Sequence, residues 1–180
     1  MITAMFDKSV LIFGCGSILW GDDGFGPAVI QRLQENYPLP DEVLALDVGT
    51  SIRDILFDLI LSEKKPELLI IVDAVEYPER RPGEVFEIPV AGIPEQKASD
   101  FSLHQFPTVN LLQELQEQGG IQVKVIVGQI ETIPLEVAPG LTQTMQGAVV
   151  TACEQIIEII APGGPLSPPL VGRGQGEGGY

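Results

Sequence analysis

The chain contains one histidine, His104, and two aspartates that could share a site with it. Asp23 lies in a glycine-rich segment, residues 14–26, and Asp73 ends the apolar run 68–73. One imidazole and two carboxylates leave coordination positions open and suit a divalent transition metal. A lone histidine followed by Gln, Phe and Pro is also typical of a loop residue bonded to the backbone. The residue types therefore predict a metal site, while the spacing of His104 leaves the loop alternative open.

The acidic segments follow predicted strands directly. In open α/β sheets, ligands gather outside the carboxyl ends of the strands, so residues 14–26, 47–50 and 73–74 are expected to meet at one edge of the sheet. An aspartate that ends a strand has a rigid backbone and suits a ligand or catalytic group. The alternative for Asp73 is that its carboxylate caps a neighbouring loop.

The elements that must position these residues alternate along the chain. Short apolar runs bounded by Gly and Pro predict strands over 10–15, 43–47, 68–73, 83–88 and 121–127. Apolar residues at helical spacing predict helices that begin near Gly26–Pro27, at Ser51 with Asp54 as its capping partner, near residue 108, and after Pro139 and Gly140. The alternation predicts a three-layer α/β/α fold with a twisted, largely parallel central sheet.

Length and composition restrict the class of protein. The 180 residues predict one domain, 1–161, followed by a flexible Pro/Gly-rich tail, 162–180. The net charge of −15 argues against a nucleic-acid partner. The sequence shows neither a signal peptide nor a run long enough to span a bilayer, so we expect a cytoplasmic protein with no membrane partner. The isolated Cys15 and Cys153 fit a reducing compartment.

Other site types fit the sequence less well. The third glycine of a dinucleotide-binding fingerprint falls at Leu19, and the Asp22–Asp23 pair would repel a pyrophosphate at the following helix. A GxSxG elbow and an HExxH zinc motif are both missing from the sequence. Cys15 is expected in a buried strand, which does not suit a nucleophile.

Four sequence elements occur in a familiar order: Gly14-x-Gly-Ser-x-Leu-x-x-Asp-Asp-Gly-x-Gly26, Asp47-Val-Gly-Thr50, Asp73-Ala74 and Ser102-Leu-His104. Over residues 8–160 the chain resembles the maturation endopeptidases of [NiFe]-hydrogenases. Its first element is most similar to the branch associated with coenzyme F420-reducing hydrogenases. The resemblance implies a phosphorylase/hydrolase-like fold and an enzyme that removes the C-terminal extension of a hydrogenase large-subunit precursor after nickel insertion.

The resemblance also implies the site residues. Asp23, Asp73 and His104 correspond to the family's metal site, with Asp23 in a position where better-known members carry glutamate. Nickel is expected to arrive with the precursor, and no organic cofactor is expected. For cleavage, either the metal activates the carbonyl or water, or a carboxylate such as Asp47 or Asp73 acts as general base. Asp22 is a rival for the role of Asp23, or caps the following helix.

Two alternatives remain at this point: a nickel-dependent binding or chaperone module without peptidase activity, and a general small metal-dependent hydrolase. We expect the protein to act as a monomer on its precursor substrate.

Overall fold

The computed structural model describes residues 5–93 and 109–163. In these ranges the chain forms a five-stranded sheet: β1 (Val10–Cys15), β2 (Val43–Gly49), β3 (Leu68–Val75), β4 (Val85–Ile88) and β5 (Gln122–Gln129). The strand order is β2-β1-β3-β5-β4. All neighbouring pairs are parallel except β4 with β5, which is antiparallel. The predicted α/β fold with a largely parallel sheet is confirmed.

Helices cover both faces of this sheet. The described ranges contain four α-helices: α1 (Phe25–Asn36), α2 (Ile52–Leu61), α3 (Val109–Glu117) and α4 (Gln143–Ile160). The buried residues of α1 and α4 form one core with one face of the sheet, and those of α2 and α3 form a second core with the other face. The result is the predicted arrangement of a sheet between two helical layers.

β3 lies in the middle of the sheet, and each of its 8 residues is buried. A strand that is paired on both edges and covered on both faces is expected to be apolar throughout, because neither face meets water. The run 68–72 fulfils this expectation. The strand continues beyond Asp73 to Val75, so Asp73 lies inside the strand rather than at its last residue.

The predicted helix starts need correction. Ser51 precedes α2, but its side chain makes no capping hydrogen bond; its backbone N–H donates instead to the Val48 carbonyl at 2.9 Å. α4 begins at Gln143 rather than directly after Gly140, because the Thr142 hydroxyl accepts a hydrogen bond from the Met145 N–H at 3.3 Å. α1 begins at Phe25, before the expected start.

Gly26 brings α1 into direct contact with the strands. A Cβ atom built at this position would lie 2.2 Å from the Cys15 carbonyl oxygen and 2.6 Å from the Val72 carbonyl oxygen. Such distances leave no room for any side chain. The first turn of α1 is therefore held against the carboxyl ends of β1 and β3, and so is the segment that precedes it.

Within residues 5–93 and 109–163, none of the helices combines the length and apolar character needed to cross a membrane. The proposed tail lies outside the described residues from position 164 onward.

Candidate active site

The chain makes a sharp change of direction after β1. The pairing of β1 with β2 shifts register between Gly14 and Cys15, and Gly16 adopts a φ of 122°. A Cβ at Gly16 would lie 2.0 Å from the Asp23 carbonyl oxygen. Only glycine combines this backbone conformation with such a close approach. The loop therefore folds back on itself and carries Asp23 to the end of β1.

Asp23 lies in a 3-10 turn, Gly21–Gly24, and is 8% exposed. Its carboxylate oxygen Oδ2 accepts a hydrogen bond from the Ser17 N–H at 2.8 Å. This bond closes the loop and fixes the direction of the carboxylate.

Asp73 is 3% exposed, and its Oδ1 accepts a hydrogen bond from the Ala74 N–H at 2.8 Å. Gly14 of β1 is aligned with Val72 of β3, so the next residues along each strand, Cys15 and Asp73, are neighbours. Because β1 ends at Cys15, Asp73 borders the loop that carries Asp23.

Asp47 also lies near this edge but is exposed. It is paired with Gly14 in the register of β1 and β2, and its Oδ1 accepts a hydrogen bond from the Gly49 N–H at 2.9 Å. Side chains alternate between the faces of a strand. Leu46 and Val48 pack on the side of α2, so Asp47 points to the side of α1, opposite to Asp73.

The thiol of Cys15 is affected by the charges of all three aspartates. Burial raises the pKa of its thiol well above the usual value, and the carboxylates of Asp73, Asp47 and Asp23 raise it further. Three carboxylates from three segments of the chain therefore lie near the Cys15 thiol. This proximity is expected, because parallel strands end at the same edge of a sheet. A thiol that stays protonated is a poor nucleophile, in agreement with the expectation for Cys15.

His104 and Ser102 lie outside the described residues, so the structure does not relate the histidine to the aspartates. Within the part of the chain that is described, no three His, Cys, Asp or Glu side chains form a group that could hold a metal ion. Of the three predicted ligands, Asp23 and Asp73 are the two that lie among the described residues.

Asp22 has a different role from its neighbour. It is fully buried, and among the described residues it accepts four hydrogen bonds: from the N–H groups of Glu131, Thr132 and Thr142 at 3.0, 3.2 and 2.8 Å, and from the Thr142 hydroxyl at 3.1 Å. Its side chain does not cap α1. Asp22 is therefore committed to residues 131–142. Sequence reasoning missed this role, because the partners lie more than a hundred residues away.

A groove of about 380 Å³ lies on the side of α1, and of the three aspartates Asp47 lines it. Asp47 lines one part of it, and Ile18, Pro27 and Leu141 line others. Apart from Asp47, its walls carry no acidic or basic side chain among the described residues. A groove of this size can hold a few residues of an extended peptide.

The sheet and its two helical layers have the fold of a hydrogenase-maturating endopeptidase. The solved structure of the endopeptidase HybD from E. coli superimposes with a TM-score of 0.63 and 28% identity, over 83% of this chain and 90% of that chain. A family model described as hydrogenase maturation protease matches residues 27–159. The chain belongs to this family and is a peptidase.

Two relatives match this chain over almost their whole length. A hydrogenase maturation protease homologue of Methanocaldococcus jannaschii is 37% identical over 155 residues, 85% of this chain and 97% of the relative. The coenzyme F420 hydrogenase subunit delta of Methanothermobacter thermautotrophicus is 36% identical over 159 residues, 86% of this chain and 96% of the relative. The family suggested by the sequence motifs is confirmed.

Proposed function

We propose that this peptidase removes the C-terminal extension of a [NiFe]-hydrogenase large-subunit precursor after nickel insertion. The observation that supports this proposal is the position of Asp23 and Asp73. Both are buried carboxylates on firmly held backbone, and both lie at the end of β1. A precursor of a coenzyme F420-reducing hydrogenase is the first substrate to test, because one of the relatives is named as a subunit of that enzyme.

Nickel enters this proposal as part of the substrate. Asp23, Asp73 and His104 would bind the nickel ion while it is still held by thiolates of the precursor. Two carboxylates and one imidazole leave positions for those thiolates, and Ni²⁺ binds such ligand sets more tightly than Co²⁺. The negative charge of the two carboxylates complements the ion. Peptidase activity would thus be restricted to precursors that have received their metal.

For the cleavage step we propose Asp47 as general base. Of the two carboxylates that the sequence left as candidates, Asp47 is open to water, whereas Asp73 is buried. Asp47 would take a proton from a water molecule as its oxygen adds to the scissile carbonyl carbon. The C–N bond then breaks, and the leaving nitrogen receives the proton.

The proposal is tested by mixing the purified protein with nickel-loaded and nickel-free precursor and measuring the mass of the precursor. We expect shortening of the nickel-loaded form only. Asp23→Asn and Asp73→Asn should each reduce the rate by at least about tenfold, since the loss of even a group that supports a metal ligand costs about 10–100-fold. Asp58→Asn, an exposed acid on α2, is the control and should process at the wild-type rate.

Asp47→Asn separates recognition from cleavage. We expect this variant to bind nickel-loaded precursor as the wild type does but to cleave it at least about 100-fold more slowly, which is typical of a lost general base. Full processing by the Asp23 and Asp73 variants would contradict nickel docking at these residues. Nickel-dependent binding by the wild type without any cleavage would instead support a chaperone.

A further inference from the structure

The loop after β1 is joined to residues 131–142 along its backbone. The Ala138 N–H donates to the Leu19 carbonyl at 3.0 Å, and the Gly21 N–H donates to the Ala138 carbonyl at 3.0 Å. Trp20 and Ala138 form a parallel bridge between these bonds. The two segments, far apart in sequence, therefore form one continuous surface beside Asp23.

Asp22 fastens this surface at both ends. Its carboxylate accepts hydrogen bonds from Glu131 and Thr132 where residues 131–142 begin, and from Thr142 where they end. Hydrogen bonds to a buried carboxylate are stronger than those between neutral groups. A segment that has little regular structure of its own is thus held at both stems by the residue next to Asp23.

The joined segments expose four large apolar side chains, which we name the apolar ledge: Ile18, Leu19, Leu135 and Val137. Their exposed fractions are 62%, 47%, 81% and 59%, respectively. Ile18 also lines the groove described above, so the ledge continues into it. A patch of exposed apolar side chains, unlike single ones, marks a surface that binds another molecule.

Charge indicates what kind of molecule this is. Residues 11–31 and 125–163, which contain the ledge and its supports, include no Lys or Arg. They do include several acids, with Glu131 and Glu136 on the same segment as Leu135. The turn before Gly83, which packs against Thr144, carries Arg80 and Arg81, and Arg80 is paired with Glu84. The segments of the ledge themselves carry only acids, so a neutral or basic polypeptide with apolar side chains is complementary to them in both properties.

We propose that the apolar ledge docks the polypeptide of the precursor next to the scissile bond, and that Asp22 is the positioning residue that keeps the ledge in register with Asp23. The occupant is a segment with apolar side chains and no net negative charge. This inference rests on the proposed function, because the precursor is the substrate named there.

The test compares steady-state processing of nickel-loaded precursor by two double variants. Leu135→Asp with Val137→Asp should raise KM at least about tenfold and leave kcat within about twofold, because truncated interface contacts weaken binding rather than chemistry. Phe57→Asp with Leu61→Asp is the control, since these residues are 54% and 67% exposed on α2, which covers the opposite face. Equal KM values for the two double variants would overturn the ledge.

Thr142 tests the role of Asp22. Thr142→Val removes the hydroxyl that donates to Asp22, and Thr142→Ser retains it. We expect the Thr142→Val variant to have a KM about three- to tenfold above that of the wild type at nearly constant kcat. The Thr142→Ser variant should have the wild-type KM. A general loss of folded enzyme would lower the apparent kcat instead. The same KM for Val and Ser would contradict a positioning role for Asp22.

Failure of this inference and failure of the proposed function have different signatures. If the wild type shortens the precursor and the ledge variant has an unchanged KM, the ledge is wrong and the function stands. If the wild type does not shorten the precursor, the Kd for nickel-loaded precursor is measured for both double variants. A weaker Kd for the ledge variant alone then supports the ledge, and equal or undetectable binding overturns it.

Discussion

Charged side chains at the two ends of the parallel sheet are arranged differently. At the amino ends, Lys64 pairs with Asp7 at 2.6 Å, and Lys65 donates to the carbonyls of Leu59, Ile60 and Ser62 at the end of α2. At the carboxyl ends, three aspartates act together on Cys15. Lys64 and Lys65 are thus combined with acceptors, whereas the three aspartates around Cys15 bring charges of one sign together.

We expect the charged groups at the amino ends to stabilise the fold and those at the carboxyl ends to take part in function. A lysine that bonds the last carbonyls of a helix stabilises the fold, because it satisfies acceptors that have no partner within the helix. Carboxylates gathered in a partly buried place repel each other and lower stability, and such groups are typical of active sites. The carboxyl ends are therefore the place where changes should affect processing most, and the amino ends the place where they should affect only stability.

The largest effect is expected at the contact between α1 and the carboxyl ends. Gly26→Ala should lower the free energy of unfolding by about 3 kcal/mol or more, because the new methyl group would overlap backbone atoms of Cys15 and Val72. Gly147→Ala in α4 is the matched control, since a Cβ there meets nothing within 4 Å. It should raise stability by about 0.5–1 kcal/mol. Urea denaturation measures both; a similar result for the two would show that α1 is not tightly held.

A smaller effect is expected at the amino ends. Lys65→Met keeps the stem of the side chain but removes its bonds to the carbonyls that end α2, and should lower the free energy of unfolding by about 1–3 kcal/mol. Lys64→Met removes an exposed ion pair and should cost less than about 1 kcal/mol. Both variants should process precursor at the wild-type rate. A loss of processing in either variant would contradict the expectation that the amino ends affect only stability.

The last effect concerns the two thiols and develops only at alkaline pH. Burial raises the pKa of Cys153 to about 11, with Arg32 opposing the shift and Glu154 adding to it. An unfolded cysteine titrates near about 8.5. The folded state then holds its proton more tightly, so this contribution to stability is complete below the unfolded pKa and is lost as pH rises toward 11.

We therefore expect the urea concentration at the unfolding midpoint to decrease as the pH is raised from about 8.5 to about 10.5. In Cys153→Ala the slope of this decrease should be smaller. Cys15 differs because three carboxylates, rather than one, add to the effect of burial. An unchanged slope in Cys153→Ala would contradict the raised pKa of the Cys153 thiol.

Much of the fold follows from local patterns. The strands β1, β2 and β3 each contain at least four consecutive apolar residues, and β5 alternates polar and apolar residues before a shorter apolar run; both patterns predict strands. The meeting of Asp23, Asp47 and Asp73 near one edge follows from the rule that parallel strands end at the same side of a sheet. Their chemical roles, and the position of His104, remain predictions.

What could not be predicted depends on contacts between distant parts of the chain. Asp22 and Asp23 are adjacent acids with the same local surroundings, and only the arrival of residues 131–142 distinguishes them. The start of α4 directly after Thr142 depends on the same contact, because the hydroxyl that caps the helix also donates to Asp22. Ser51 shows the reverse: a suitable capping residue is present, but the turn uses its backbone instead.

The bridge between Trp20 and Ala138 has a practical consequence. Trp20 is the single tryptophan of the chain, and it lies, half-buried, where the loop bearing Asp23 meets residues 131–142. The fluorescence of an indole ring depends on its surroundings and is quenched by a nearby paramagnetic ion. The protein thus carries one intrinsic optical probe at the junction of these two segments, and its emission can be followed without any label while a precursor binds.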